Sequence, residues 1–321
     1  MFKRLLVLAI LIGGGAWFFL SRYDIAGWEA LKIVPKDASA TSSSKYGSDW
    51  NDVPAVVRSG STIRVASFNL EVFGKTKLSK SHVLQKLAQI VRQFDVVAVQ
   101  EIQPDDPDLL PRFVEEINQS GRHYDFVVSQ PVGRKRAERL AFIFDRASLE
   151  VDRSQLYLVN DPDDLLDIEP FVAWFRVRGP QTEQSYTFSL VNVNVSSSAV
   201  RQELALLDDV MREVLNDGRN EDDVLVVGDF GLTPLRIQQA VRPEGTNWAI
   251  SQKMLPSWQN MQTDNIVFHS SATSEFTGKA GVFDFLRHFN MTEAEAAEIS
   301  NHLPVWAEFS IYEGGKPSAT L

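Results

Sequence analysis

Between Tyr124 and Arg178 the chain passes through four apolar segments, "YDFVVSQ", "RLAFIFD", "QLYLVN" and "FVAWFRVR", with no helix-length interval between them. No other feature restricts the fold as strongly. A doubly wound parallel sheet requires a crossover of a dozen or more residues, usually a helix, after each strand. The middle of this chain has no room for one. The flanks differ. "IRVASFN" (Ile63–Asn69) and "DVVAVQE" (Asp95–Glu101) read as strands, and between them Val83, Leu84, Leu87, Ile90 and Val91 recur at helical spacing. A second helix is expected over Asp106–Gly121. "TFSLVNVNVSS" and "VLVVGDF" are strands separated by "AVRQELALLDDVMREVL", the clearest amphipathic helix. "DNIVFH" and "PVWAEFSI" complete the strands, and a capping box at Thr292–Glu295 opens a short helix before "ISNHLP". Strands joined by hairpin-length loops in one place and by helices in another predict a mixed α/β (α+β) body. Two mixed sheets packed face to face with helices outside, a four-layer α/β/β/α sandwich, would bury this many apolar strands.

The N-terminus is of another kind. Lys3 and Arg4 precede sixteen uncharged residues, Leu5 to Leu20, and Arg22 follows. Residues 1–23 read as a signal anchor or a signal peptide. The positive-inside rule then places the body outside the cytoplasm, membrane-anchored on the periplasmic or extracellular face, or secreted after cleavage. Residues 24–60, including "DASATSSSKYGSDWND", read as a flexible polar linker. The folded domain spans 61–312, and 313–321 form a tail. The formal net charge of −10 disfavours non-specific binding to nucleic acid without forbidding a local basic groove. The chain has no cysteine, which excludes disulfides, thiol nucleophiles and cysteine-ligated zinc.

Three apolar strands end on a polar group: Asn69, Glu101 and Asp229. Asp264 in "TDNIVF" and His302 in "SNHLPV" join them. A lone Asp at a strand end is ordinarily a helix cap or turn former, and a lone His a surface or core residue. The set together carries more weight. Carboxylates converging on one sheet rim can hold a hard divalent cation such as magnesium. A carboxylate beside a histidine fixes its tautomer and favours its charged form. Both suit phosphoester hydrolysis. The loop "GRKRAER" adds Arg134, Lys135 and Arg136, a cradle for phosphate oxygens or else a solvated hairpin tip.

The ordered series "SFNLEVFG", "VVAVQEI", "RLAFIFD", "EPFVAWF", "VNVNVSSS", "VVGDFGLTP", "TDNIVF", "ISNHLPVWAEF" resembles the endonuclease/exonuclease/phosphatase superfamily, the deoxyribonuclease I-like fold, over roughly Ser61 to Tyr312. The resemblance implies the same four-layer sandwich and hydrolysis of phosphoesters (nucleic acid or small phosphodiesters) with Mg2+ or Mn2+. It implies Glu101 as principal metal ligand and Asn69 as a metal or phosphate contact. Asp229 orients water or holds metal, and Asp264 pairs with His302, which contacts phosphate. Arg134 and Arg136 are expected to bind substrate.

The chain also departs from the family's pattern. Asn194 stands where the family has histidine, Gly231 where it has asparagine, Asn301 where it has aspartate, and Ile168 where the deoxyribonuclease branch has arginine. Glu138, the expected carboxylate partner of the missing histidine, is left to solvent or to a nearby arginine. Loss of an acid–base group costs about 10² to 10⁴ in rate, and loss of one stabilising donor about 10² to 10³. Two functions follow: a metal-dependent nuclease or phosphodiesterase with impaired or altered catalysis, or a pseudoenzyme that binds a phosphorylated ligand or protein partner.

Overall fold

The structure, a computed structural model, describes residues 23–26, 32–35, 60–196, 198–239, 245–259 and 261–315. The apolar segment Leu5–Leu20 lies outside them, as does most of the expected linker. Among the described residues no helix is long and apolar enough to cross a membrane. The chain divides into two compact units, Met1–Asp52 and Val53–Leu321. In the first, β1 (Tyr23–Ala26) pairs antiparallel with β2 (Lys32–Pro35).

The second unit runs β3 (Thr62–Phe73), α1 (Lys75–Leu78), α2 (Ser81–Val91), β4 (Val96–Ile102), α3 (Leu109–Asn118), β5 (Tyr124–Val128), β6 (Arg139–Asp145), β7 (Leu149–Val151), β8 (Tyr157–Leu158), β9 (Phe171–Val177) and β10 (Thr187–Asn194). It continues through α4 (Val200–Ala205), α5 (Leu207–Leu215), β11 (Val224–Asp229), α6 (Pro234–Gln239), β12 (Thr246–Trp248), β13 (Asp264–His269), β14 (Phe276–Val282), α7 (Phe285–His288), α8 (Glu293–Ile299) and β15 (Val305–Ser310). One sheet has the order β14-β15-β3-β4-β6-β5, and the other β12-β13-β11-β10-β9-β7 with β8 also on β9. The middle strands pair antiparallel, as their short connections require. The helix-connected pairs β3–β4 and β10–β11 are parallel.

Three apolar clusters define the four layers. The central one joins both sheets, with Val65, Ala98, Phe142 and Phe309 facing Phe175, Phe188, Leu190 and Val227. The second packs the outer face of the β3–β4–β6 sheet on α2 and α3 through Phe68, Val97, Leu87 and Phe113. The third packs Val191, Val226 and Val267 on α5 through Leu207, Val210 and Met211. Each strand thus supplies alternate residues to two cores, which is why the segments read as continuous apolar runs. The expected capping box is present: Glu295 N–H donates to Thr292 Oγ1 (3.3 Å), and Thr292 N–H to Glu295 Oε2 (2.8 Å). The long amphipathic helix is divided at Leu206 into α4 and α5.

Apolar packing is non-directional, so it does not by itself fix how two sheets align. A buried polar bridge does. Gln100 Nε2 donates to Asn192 Oδ1 (2.6 Å), across the sheets. Asn192 Nδ2 donates to the carbonyls of Val99 (3.1 Å) and Ala141 (3.0 Å), and Gln100 also bonds Ser67 Oγ. Ser67, Gln100 and Asn192 are wholly buried. Asn192→Val would orphan these groups at about 1–3 kcal/mol each, so urea denaturation should show a loss of at least about 2 kcal/mol. An unchanged midpoint would mean that the bridge is dispensable.

Candidate functional site

Topology places the polar residues on one rim. Asn69, Glu101, Asn194 and Asp229 lie at or near the C-terminal ends of β3, β4, β10 and β11. Asp264 opens antiparallel β13 opposite Asp229, and Asp229 also faces Asn194. Glu138 immediately precedes β6, and His302 lies three residues before the start of β15. Local backbone reinforces this placement. The β3–β4 register shifts between Asn69 and Phe73, and Glu71, Val72 and Glu101 have φ of 46°, 58° and 59°. Left-handed conformation at three non-glycine residues costs about 1–3 kcal/mol each and is tolerated where it aims a functional group. Here it turns Glu101 toward the rim. Gly228 has a separate role: a Cβ there would strike the Val193 carbonyl, so only glycine lets β11 approach β10 before Asp229.

The five expected residues meet. Asn69 Nδ2 donates to Glu101 Oε1 (3.1 Å) and to Asp229 Oδ2 (3.4 Å). His302 Nδ1 lies 2.6 Å from Asp264 Oδ2, and its Nε2 lies 3.9 Å from Asp229 Oδ2. Asp264 is fully buried, and burial against the opposing pull of His302 raises it to about 6. Burial works against charge on His302, but Asp264, its hydrogen bond, Asp229 and Glu101 outweigh it and lift the imidazole to about 9. Between those values the couple is an imidazolium–carboxylate pair.

Several expectations need correction. Asn69 is wholly buried, and its Oδ1 accepts from Glu71 N–H (2.9 Å), which turns its amide nitrogen, a donor, toward Glu101 and Asp229. It clamps the two carboxylates together. Glu138 is neither solvated nor paired with an arginine. It is buried, and Asn194 Nδ2 donates to its Oε1 at 2.9 Å, so the residue replacing the expected histidine keeps the carboxylate partnership. Arg134 turns away from the rim, with Nη1 on Asp164 Oδ2 (3.0 Å) and Nε near Asp167 (3.6 Å). Arg136 does reach the site, 3.5 Å from Glu101 Oε2. Ile168 packs against the inter-sheet core, and Asn301 is exposed at the mouth with its N–H on Glu71 Oε2 (3.0 Å). Gly231, at φ 65°, donates its N–H to Asp229 Oδ1 (2.8 Å). Asparagine tolerates that conformation, but a Cβ would sit 2.8 Å from Val200 Cγ2.

Two positioning residues escaped sequence reasoning. Gln262 Nε2 donates to Asp264 Oδ2 (2.7 Å) and to the Leu303 carbonyl (2.6 Å), tying the acid to the histidine loop. Ser300 Oγ donates to the Asn69 carbonyl (2.8 Å) and accepts from His302 N–H (3.0 Å). The signal for Gln262 was its place two residues before Asp264, on the same side of an extended chain.

Glu101 fits a hard cation. Its carboxylate is partly exposed, with Oε2 toward Arg136 and the Val72 N–H (3.1 Å). Magnesium is commonly held by one or two carboxylates with water and substrate phosphate completing the shell.

This fold, with these polar residues gathered on one rim, is of the kind the sequence resembles. The chain belongs to the endonuclease/exonuclease/phosphatase family, whose model matches residues 66–287. Deoxyribonuclease-1-like 1 of Cricetulus griseus is 32% identical over 260 residues, covering 77% of this chain and 84% of that protein. Deoxyribonuclease-1-like 2 of Mus musculus is 28% identical over 83% of this chain and 100% of its own length. The fold also matches D. rerio TDP2 complexed with single strand DNA product, at a TM-score of 0.51 and 13% identity over 78% of this chain and 100% of the other.

Burial, offset by the Asn194 hydrogen bond and reinforced by Glu101, raises Glu138 from 4.5 to about 7. Between these values the folded chain holds more protons than the unfolded one, so stability falls as pH rises through the window. In metal-free buffer Glu138→Gln should therefore match the parent near about pH 5 and exceed it near about pH 8, by on the order of 2 kcal/mol. Denaturation midpoints at the two pH values check this; equal midpoints at both would show that Glu138 is not strained.

Proposed function

We propose that this protein is a divalent-cation-dependent phosphodiesterase of the nuclease type that works with half of the family's acid–base equipment. The observation that carries the reading is the Asp264–His302 hydrogen bond standing 3.9 Å from Asp229, itself clamped to Glu101 through Asn69. A cation held by Glu101, Mg2+ or Mn2+, would supply electrostatic stabilisation of charge on the phosphoryl oxygens. The protein's own groups do the rest. Imidazolium His302, charged up to about pH 9, contacts a phosphate oxygen and neutralises it. Asp229, oriented by the Gly231 N–H, directs the attacking water. Arg136 at the mouth binds a further phosphate oxygen once it leaves Glu101.

The leaving side is different. Asn194 donates to Glu138 and has no titratable proton, so the departing oxygen leaves without the imidazole acid expected at this position. Rates should then depend steeply on the leaving group: aryl phosphodiesters turn over, while alkyl esters such as plasmid DNA are cleaved slowly, by about 10² or more. The net charge of −10 further disfavours long DNA. The same Asn194, with Gly231 and Asn301, supports a second reading, a pseudoenzyme that binds a phosphoester or a protein partner without turnover. Residues 1–23, read from the sequence as a signal anchor or signal peptide, would put either activity outside the cytoplasm, membrane-anchored or secreted after cleavage.

With magnesium, the full-length chain should hydrolyse bis-p-nitrophenyl phosphate, and Glu101→Ala and Asp229→Ala should abolish this. The rate should fall above about pH 9 as His302 loses its proton. Asp264→Asn should move that limb toward the ordinary imidazole value near 6.5. Saturable binding of the ester with no turnover in any metal would favour the pseudoenzyme.

A further inference from the structure

The far rim of the sandwich carries a second acidic group that the reaction does not use. Glu221, Asp222 and Asp223 lead into β11, Glu275 precedes β14, and Glu313 follows β15. Asp223 and Asp229 lie at opposite ends of β11, about 20 Å apart at ~3.3 Å per residue. Ligand oxygens of Asp223, Glu275 and Glu313 lie within 4.8 Å of one another. Asp223 and Glu275 are 1% and 2% exposed, yet the groups acting on Asp223 are burial, the Thr273 hydroxyl and the acids Glu275, Glu313 and Glu221. On Glu313 they are burial, the Thr187 N–H and the acids Glu275, Glu221 and Asp222. Among the described residues, no Lys or Arg stands with the largest influences on either.

A second observation points to a ligand. Asp223 Oδ1, Glu275 Oε2 and the Tyr186 hydroxyl are buried atoms without a hydrogen-bond partner. The wholly buried Tyr186 lies in the field of Asp223 and Glu275. The nearby N–H donors are already used. Gly314 N–H serves Glu275 Oε1 (2.6 Å), Thr187 N–H serves Glu313 Oε2 (3.3 Å), and Trp174 Nε1 serves Glu221 Oε2 (2.8 Å). Buried carboxylate oxygens left over in this way require a counter-charge or protons.

We propose that Asp223, Glu275 and Glu313 form a structural site for a hard divalent cation, calcium in preference to magnesium. Calcium takes six to eight oxygens in flexible geometry, whereas magnesium keeps most of its water and is seldom caged by protein alone. The Thr273 hydroxyl, which acts on Asp223, and the Tyr186 hydroxyl, in the field of Asp223 and Glu275, are both buried without a hydrogen-bond partner and are available as neutral oxygens. The ligands come from both sheets. Asp223 immediately precedes β11 in one, Glu275 stands where the chain passes from β13 to β14 in the other, and Glu313 follows β15. The cation therefore ties the two sheets at the rim opposite the candidate catalytic site.

Thermal unfolding of the full-length, chelator-treated chain in mild detergent tests this, with calcium chloride or magnesium chloride as the only additive. Calcium at a hundred times its Kd should raise Tm by about 5 °C or more, and magnesium by less. The shift should persist in Glu101→Gln and vanish in Asp223→Asn/Glu275→Gln. Should the double variant not fold, Glu313→Gln, at an exposed position, should weaken half-saturation by about tenfold. The site is refuted by a wild type that ignores calcium, by a shift lost in Glu101→Gln, or by one unchanged in the far-rim variants. A wild type that ignores calcium and loses stability up to about pH 8 would assign shared protons to these acids instead.

Discussion

The buried amide bridge between Gln100 and Asn192 is the contact on which the rest of the molecule depends. Apolar surfaces can slide past one another at little cost, but a fully buried amide cannot exchange its partners without orphaning them. The bridge fixes one sheet against the other just below the rim where the site forms. The contacts above it cross the same gap: Asn69 to Asp229, His302 to Asp264, and Asn194 to Glu138. Each site pair joins a residue of one sheet to a residue of the other. The geometry of the candidate site is thus a consequence of inter-sheet alignment, and an error in that alignment would separate all three pairs together.

The site is asymmetric in its electrostatics. On one side a fully buried carboxylate holds a charged imidazole. On the other, a buried carboxyl pushed toward neutrality holds an amide. Asparagine at position 194 preserves a donor to Glu138 and therefore preserves the packing, but its amide has no titratable proton of its own. That explains how the fold accommodates the change without exposing or expelling Glu138. Gly231 follows similar logic: its left-handed backbone still orients Asp229, but contributes nothing beyond the N–H.

Much of this was legible in the sequence, and the reasons are physical. Strands that feed two cores read as unbroken apolar runs, so their polar ends stand out, and Asn69, Glu101, Asp229, Asp264 and His302 were found in that way. Short connections between Tyr124 and Arg178 excluded helical crossovers. What escaped notice were features that depend on partners distant in sequence. The direction of the Asn69 amide is set by the Glu71 N–H. The fate of Arg134 is set by Asp164 and Asp167, and that of Glu138 by Asn194. β14 was missed because an edge strand reading "FTGKAGV" is largely exposed and carries two glycines. Glu221–Asp223, Glu275 and Glu313 each look like ordinary solvated turn residues, and only the fold brings them together.

The central claim is that one half of a two-sided hydrolytic site remains at work. The most direct measurement is the rate of magnesium-dependent cleavage of an alkyl phosphodiester by Asn194→His, compared with the parent at equal folding. Returning an imidazole beside Glu138 supplies the missing general acid, and the account predicts a gain of about 10² or more, with little change for the nitrophenyl ester. An alkyl ester rate unchanged by the substitution, in a variant that unfolds like the parent, would contradict it.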